Sequence, residues 1–156
     1  MEKEQQQDLM LYWKPDTAEN ILRGGGFLSS ATSDQLYRAS PGDTIWIVTV
    51  DDGELFLLNK LYVDETTNRM GAVKKLGITG IWGDTEYYAI APVGKEEPLK
   101  KISLSSIADK LTFQTRSTSS RKLNLSKGRV NPQQLQTMRI LDASSAGLLQ
   151  KIWVTP

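Results

Sequence analysis

The chain has 156 residues, of which 39% are hydrophobic and 24% charged, a composition typical of one folded domain with its own core. It contains neither cysteine nor histidine, so disulfides, Ser-His-Asp triads and Cys- or His-ligated zinc are excluded within it. We therefore expect a binding module rather than an enzyme, with no cofactor.

No apolar run approaches the roughly 20 residues of a membrane span, and MEKEQQQD is not a signal peptide. We expect a cytoplasmic protein without a membrane partner.

The net charge of +1 conceals an uneven distribution of charge along the chain. Residues 1–94 carry 8 Lys and Arg against 14 Asp and Glu, whereas residues 95–139 carry 10 against 3. A basic C-terminal third indicates either a surface that faces phosphates or a solvated basic loop.

The N-terminal part reads as a strand, a short helix and a loop. Residues 1–8 are predicted to be frayed, and LMLYW (9–13) is predicted to be the first strand. AENIL follows a Pro, an Asp and a Thr and is followed by glycines, which indicates a short helix with a capped start and a glycine stop. Residues 24–43 are small, polar and rich in glycine, as in a loop.

The clearest signal is a hairpin made by TIWIVTV (44–50) and ELFLLNKLYV (54–63). Both segments are apolar almost throughout, which predicts central strands. The DDG between them is a short connection in which Gly53 can take a positive φ. Trp46 lies in the middle of the first strand, where core packing is favoured.

The second half of the chain is less regular. It predicts a strand around Glu86–Ala91, a short helix at IADKL and a strand at LTFQT. A basic, Ser-rich loop is predicted over 116–132 and a terminal helical segment over 132–153, with a break at 142–144. Together these elements predict an α+β fold on a small, curved, mostly antiparallel sheet.

Tryptophans at strand ends beside glycine-rich loops are placed to stack on a planar ligand such as a flipped base. Trp13 ends the first strand, and Trp82 stands beside Gly83. A position in a pocket and a position in the core are both open for these two side chains. The cations of the basic loop are spaced by Ser, Thr and Asn, which suits phosphate contacts without sequence reading.

LYW, a glycine-rich loop with Phe27, YRASPGDTIWIVTV and ELFLLNKLYV resemble the PUA-like superfamily, most closely its EVE branch. In that branch an N-terminal strand with Tyr or Trp precedes a turn containing GD that leads into a barrel strand. LQTMRILDASSAGLL is similar to the closing segment of EVE-like domains that precede HNH nucleases in prokaryotic restriction proteins. The resemblance implies a single domain over 1–156, a small curved β-barrel flanked by short helices and a C-terminal helix.

The resemblance also implies an aromatic pocket that accepts a methylated or hydroxymethylated base flipped from DNA, with tryptophans as a cage and with Ser and Asp side chains on the base edge. The residues implied at this pocket are Trp13, Trp46, Trp82, Tyr12, Phe27, Ser29, Ser30, Ser33 and Asp34. The cations implied at the nucleic-acid backbone are Lys14, Arg23, Arg38, Arg116, Arg121, Lys122, Lys127 and Arg129.

With the resemblance, we expect a non-catalytic reader of modified nucleic acid, and the resemblance implies that it is the sensor part of a DNA restriction or defence system. Nuclease activity is then expected in a fused or partner protein, such as an HNH nuclease. A PUA-like or ASCH-like RNA-binding domain in RNA processing or translation is one alternative. A protein-interaction module, with all aromatics in the core and the basic loop on an acidic partner, is another.

Overall fold

The computed structural model describes residues 6–24, 27–28, 30–33, 36, 38–68, 70–71, 74, 87–92, 97–114 and 121–155, with side chains described outside 20–30 and 32. Within these residues the fold is mixed α+β. Its strands are β1 (Asp8–Tyr12), β2 (Phe27–Leu28), β3 (Ser30–Thr32), β4 (Thr44–Asp51), β5 (Glu54–Tyr62), β6 (Glu65–Thr67), β7 (Tyr88–Ile90), β8 (Glu97–Pro98), β9 (Ile102–Ser103), β10 (Thr112–Phe113), β11 (Arg121–Lys122), β12 (Leu125–Ser126), β13 (Arg129–Val130) and β14 (Arg139–Ile140). Its α-helices are α1 (Pro15–Gly24) and α2 (Ala143–Val154).

The central element is a five-stranded sheet in the order β14-β1-β4-β5-β9. β1 runs parallel to β4, and the other neighbours in this sheet pair antiparallel. A bridge between Phe113 and Leu141 places β10 beside the chain that follows β14, and β11 pairs with β10. The sheet is therefore mostly antiparallel, as predicted, and the pairings among the described strands leave it open rather than closed into a barrel.

Two hydrophobic clusters lie on opposite faces of this sheet, because successive side chains of a strand point to opposite sides. On the face that we call the α2 face, Trp46 and Val48 pack with Leu149 and Trp153 of α2. On the opposite face, the α1 face, strand residues such as Ile47 pack with Ala18 of α1. The central strands are thus buried on both sides, which explains why their sequences are apolar almost throughout.

The β4–β5 hairpin confirms the prediction made from the DDG sequence. Its two turn residues, Asp52 and Gly53, have φ values of 53° and 80°, and Asp51 pairs directly with Glu54. Positive φ at both central residues is the two-residue turn that matches the twist of the flanking strands. The pairing register shifts between Ile47 and Val48, so β5 contains a bulge in its middle.

The prediction of a helix over 132–153 is wrong in its first half. Pro132–Leu135 is a single 3-10 turn, Arg139–Ile140 pairs with β1, and α2 begins only at Ala143. Strand pairing prevails here because β1 would otherwise present unpaired backbone groups along one edge. The predicted break at 142–144 marks the start of the helix instead.

Two predicted loops are also more ordered than the sequence indicated. Of the frayed start, residues 1–5 lie outside the described residues, whereas Gln7 donates its backbone N–H to Asp43 Oδ1 at 3.0 Å and Asp8 opens β1. Of the basic loop over 116–132, residues 121–130 form β11 and the β12–β13 hairpin, whose turn has positive φ at Lys127 and Gly128. No α-helix in the described part of the chain is long and apolar enough to cross a bilayer.

Candidate functional site

Trp13 and Trp46 lie on opposite faces of the sheet. Trp46 belongs to the cluster on the α2 face, is 1% exposed, and donates its indole N–H to Asp8 Oδ1 at 3.0 Å. Trp13 belongs to the cluster on the α1 face. The two side chains do not share one pocket, which corrects the cage that the resemblance implied. Tyr12 packs with the cluster on the α2 face, where burial raises the pKa of its phenol, so it is also separated from Trp13.

Trp13 extends the β1–β4 pairing by one residue. Its backbone N–H donates to the carbonyl of Val48 at 2.8 Å, which brings Trp13 level with Thr49. The indole is 5% exposed, so it forms part of a buried wall rather than an open platform. The chain then turns at Lys14 into α1, whose Ala18 packs in the same cluster.

Two buried polar side chains share the α1 face with Trp13. Thr49 is 1% exposed. Asn59 is fully buried and pairs with Ile47, which precedes Thr49 by two residues on β4. The Asn59 amide nitrogen donates to the carbonyls of Glu97 and Pro98 at 3.2 and 3.0 Å. Within the described residues, Thr49 Oγ1 and Asn59 Oδ1 have no hydrogen-bond partner.

An unsatisfied buried polar group costs roughly 1–3 kcal/mol, so two of them on one face require an explanation. A threonine hydroxyl can both donate and accept, and an amide oxygen accepts. A polar ligand could satisfy the hydroxyl of Thr49, because this residue lines a cleft, whereas Asn59 does not line it. Thr49 is therefore the stronger indication of a binding site in the described residues.

A cleft of about 330 Å³ opens beside Thr49, between the first turn of α1 and the end of β4. We call it the α1 cleft. Its lining residues are Pro15, Asp16, Ala18, Glu19, Thr49, Asp51 and Lys101. The volume is at the lower end of the range of small-molecule sites. It suits a single planar ring better than an extended ligand.

The charges around the α1 cleft disfavour an anion. Three carboxylates, those of Asp16, Glu19 and Asp51, face one ammonium group, that of Lys101. Lys101 Nζ lies 2.9 Å from Asp51 Oδ2, so its charge is already paired, and it also lies 4.7 Å from the centre of the Phe56 ring. The cleft therefore suits a neutral group that offers N–H donors, and it repels a bare phosphate.

A wider cleft of about 550 Å³ lies at the β4–β5 turn, lined among others by Asp52, Glu54, Asp109 and Arg129. Three of its charged groups have partners within the protein, since Arg129 pairs with Asp52 at 3.0 Å and Glu54 accepts from Ser103 Oγ. It contains none of the unpaired buried polar atoms. The α1 cleft is therefore the better candidate.

The remaining residues implied at the pocket are only partly described. Ser29, Asp34 and Trp82 lie outside the described residues. Phe27 pairs with Pro98 in the β2–β8 ladder, and Ser30 pairs with Ile90. β2 therefore lies beside β8, whose Pro98 carbonyl accepts a hydrogen bond from Asn59. Ser33 is half-buried, and its backbone N–H donates to the carbonyl of Tyr87 at 3.4 Å.

The predicted phosphate-binding cations fall into two groups. Arg38 donates to the carbonyl of Met138 at 2.6 Å and Arg129 to Asp52, so both guanidinium groups have a partner within the protein. Their assignment to a nucleic-acid backbone stays a prediction. Lys14, Arg121, Lys122 and Lys127 are exposed, as is Arg129. Arg23 lies in α1 without a described side chain, and Arg116 is outside the described residues.

Sequence reasoning missed Thr49 and Asn59, as well as Asp51 and Lys101 at the mouth of the cleft. A signal for the first two was present, because each is a polar residue within an otherwise apolar strand, TIWIVTV or ELFLLNKLYV. The position of Lys101 carries no such signal, since only folding brings it to Asp51.

No family model, no curated protein and no solved structure matches the chain.

Proposed function

We propose that the chain is a non-catalytic reader of nucleic acid that takes one modified base, flipped out of its stack, into the α1 cleft. The observation that carries the proposal is the buried Thr49 Oγ1, which lines the α1 cleft and has no hydrogen-bond partner among the described residues. The proposal assumes a PUA-like barrel as the fold. The modified base as ligand is taken from the resemblance of the sequence motifs to that superfamily.

The chemistry of a nucleobase complements this face of the sheet. A base is a neutral plane whose edge carries N–H donors and acceptors, and readers of flipped bases combine an aromatic or apolar wall with hydrogen bonds to that edge. Pro15 and Ala18 supply the apolar part of the cleft, and Thr49 and Asp51 supply acceptors. A base that leaves these buried groups unpaired is rejected strongly, because their desolvation has no compensation.

The modification itself is recognised by shape. One methyl or methylene group in a fitted pocket is worth about 1–3 kcal/mol, or about 10–200-fold in affinity. Extruding a base costs a few kcal/mol, which contacts to the backbone must offset. Cleavage of the recognised DNA belongs, in this proposal, to a fused or partner nuclease, and the chain itself is the sensor.

The direct test is binding of the purified chain to matched fluorescent oligonucleotides by fluorescence polarisation. The probes are unmodified DNA, DNA with 5-methylcytosine, 5-hydroxymethylcytosine or N6-methyladenine, and one methylated RNA, each at two salt concentrations. We expect one modified DNA probe to bind more tightly than its unmodified match at both salt concentrations. Equal affinity for all probes, or preference for RNA regardless of modification, contradicts the proposal.

Thr49→Val tests the cleft itself. Valine keeps the shape of threonine and removes the hydroxyl, so we expect affinity for the preferred probe to fall about tenfold. Thr44→Val is the matched control, because Thr44 lies at the other end of the same strand and lines a different cleft. An unchanged affinity in Thr49→Val, or an equal loss in both variants, would remove the α1 cleft from the proposal.

A further inference from the structure

Two arginines meet around one aromatic ring. Arg121 lies directly opposite Phe113 in the β10–β11 ladder, and the guanidinium carbon of Arg139 lies 5.3 Å from the centre of the Phe113 ring. Arg139 pairs with Met10, whose side chain belongs to the cluster on the α2 face, as does that of Phe113. Both arginines therefore project from the α2 face of the extended sheet.

These two guanidinium groups are not neutralised by the part of the protein that the structure describes. Neither has an ion pair or hydrogen bond with a described residue, whereas Arg38 and Arg129 each have a partner. Burial lowers the pKa of Arg139, and the positive charge of Arg121 lowers it further. Like charges held this close destabilise the empty site, and an anion between them would relieve the repulsion.

The site is accessible and carries the chemical groups that recognise phosphate. Arg121 is exposed and Arg139 half-buried. A guanidinium group is a planar fork that binds phosphate oxygens through two parallel N–H···O bonds. Lys122, exposed beside Arg121 on β11, adds to the positive potential around the site.

We propose that Arg121 and Arg139 form a two-arginine clamp for one phosphate group of the nucleic-acid backbone. The identity of the ligand rests on the proposed function, and the clamp adds the place where its backbone is held. The α1 cleft repels phosphate, so the backbone needs a site elsewhere. The clamp lies on the α2 face and the cleft on the α1 face, so a nucleic acid held at both must pass around the sheet. Along β1, Met10 lies opposite Arg139 and Trp13 follows three residues later, a span of about 10 Å along the strand.

The clamp can first be tested without nucleic acid. Inorganic phosphate is added to the labelled chain, and the arginine side-chain Nε–Hε signals are followed by NMR. We expect the signals of Arg121 and Arg139 to shift together and to saturate, while that of Arg129, which Asp52 occupies, stays in place. No shift, or equal shifts of all arginine signals, overturns the clamp.

The second test measures DNA binding of Arg121→Gln and Arg139→Gln by fluorescence polarisation, with a modified probe and its unmodified match. We expect each variant to weaken binding of both probes about tenfold, to leave their affinity ratio unchanged, and to reduce the salt-dependence slope by about one. Arg129→Gln is the matched control and is expected to change affinity less than about twofold. Arg139→Lys, which keeps the charge and loses the fork, is expected to recover only part of the loss.

The outcomes separate the clamp from base recognition. If the wild type binds both probes equally and the arginine variants weaken both, base recognition fails and the clamp stands. If the wild type prefers the modified probe and neither arginine variant changes its affinity, the clamp fails and base recognition stands. Binding to neither inorganic phosphate nor DNA overturns the clamp, and an acidic protein partner then becomes the better explanation for the two arginines.

Discussion

At the scale of single residues, the informative side chains are polar ones buried in apolar strands. The amide nitrogen of Asn59 donates to two carbonyls, whereas its oxygen and the Thr49 hydroxyl have no hydrogen-bond partner among the residues that the structure describes. Residues that serve only packing at such positions would be expected to be valine or leucine. Retaining two unpaired oxygens reduces stability, as is common at sites where a ligand completes the hydrogen bonding.

The unpaired hydroxyl leads to a prediction about stability that is opposite in sign to the prediction about binding. In Thr49→Val we expect the free energy of unfolding to rise by about 1 kcal/mol, because valine fills the same space without a buried unsatisfied hydroxyl. Urea denaturation followed by tryptophan fluorescence measures the change. A fall of similar size would show that the hydroxyl has a structural partner and would weaken the case for a ligand.

The two central tryptophans show how neighbours decide the role of a residue type. Trp46 has its indole N–H bonded to Asp8 and its ring 5.5 Å from the Lys60 ammonium group, so its polar and aromatic groups are both engaged within the fold. Its placement in the core agrees with the preference that its mid-strand position indicated. Trp13 lies beside the unpaired polar pair instead, and this position makes it the tryptophan of interest for binding.

At the scale of elements, the β4–β5 hairpin organises the molecule. Its turn residue Gly53 accepts a backbone hydrogen bond from Val130 at 2.8 Å, so the β12–β13 hairpin is attached to it. A Cβ atom at Gly53 would lie 2.8 Å from Nε and Cζ of Arg129, and the φ of +80° is unfavourable for any residue with a side chain. The turn therefore requires this glycine, whereas the end of the Arg129 side chain can shift to admit a Cβ.

Alanine substitutions at two glycines distinguish the backbone strain at Gly53 from the effect of replacing glycine inside a helix. We expect Gly53→Ala to lower the free energy of unfolding by about 1–2 kcal/mol, because alanine is strained at that φ and displaces Arg129. Gly147 lies within α2, and a Cβ there meets no atom within 4 Å. Gly147→Ala should therefore raise the free energy of unfolding by about 0.5–1 kcal/mol. Urea denaturation of both variants provides the comparison, and a stable Gly53→Ala would contradict the turn assignment.

At the scale of the whole molecule, one sheet carries both hydrophobic clusters. The central strands β4 and β5 contribute to each, with Val48 and Leu57 on the α2 face and Ile47 and Leu61 on the α1 face. Because β4 and β5 contribute side chains to both clusters, unfolding of these strands exposes both clusters to water. The two faces should therefore unfold as one cooperative unit.

Matched cavity variants on the two faces test this cooperativity. We expect Leu61→Ala and Leu149→Ala, at residues that are 1% and 0% exposed, each to cost about 2–5 kcal/mol. Each should shift a single urea transition that far-UV circular dichroism and tryptophan fluorescence report at the same midpoint. Separate transitions from the two probes, in either variant, would show that the faces unfold independently.

The sequence by itself determined the elements whose causes are local. The apolar runs of β4 and β5, the Asp-Gly turn between them, the strand of Tyr12 and the helix after Pro15 all follow from neighbouring residues, and the structure has them where they were predicted. The mostly antiparallel α+β fold follows from the same patterns. Half of the terminal helix was mistaken, since apolar spacing alone does not distinguish a helix from a segment that pairs with a distant strand.

Only the tertiary structure decided which residues meet. It placed Trp13 and Trp46 on opposite faces, brought Lys101 to Asp51 across 50 residues, and joined Arg121 and Arg139 around Phe113. It also showed that Arg38 and Arg129, which the sequence does not distinguish from the other cations, have partners within the protein. These contacts depend on the register and order of strands far apart in the chain. Burial and charge pairing are properties of that assembly, and no local pattern of residues encodes them.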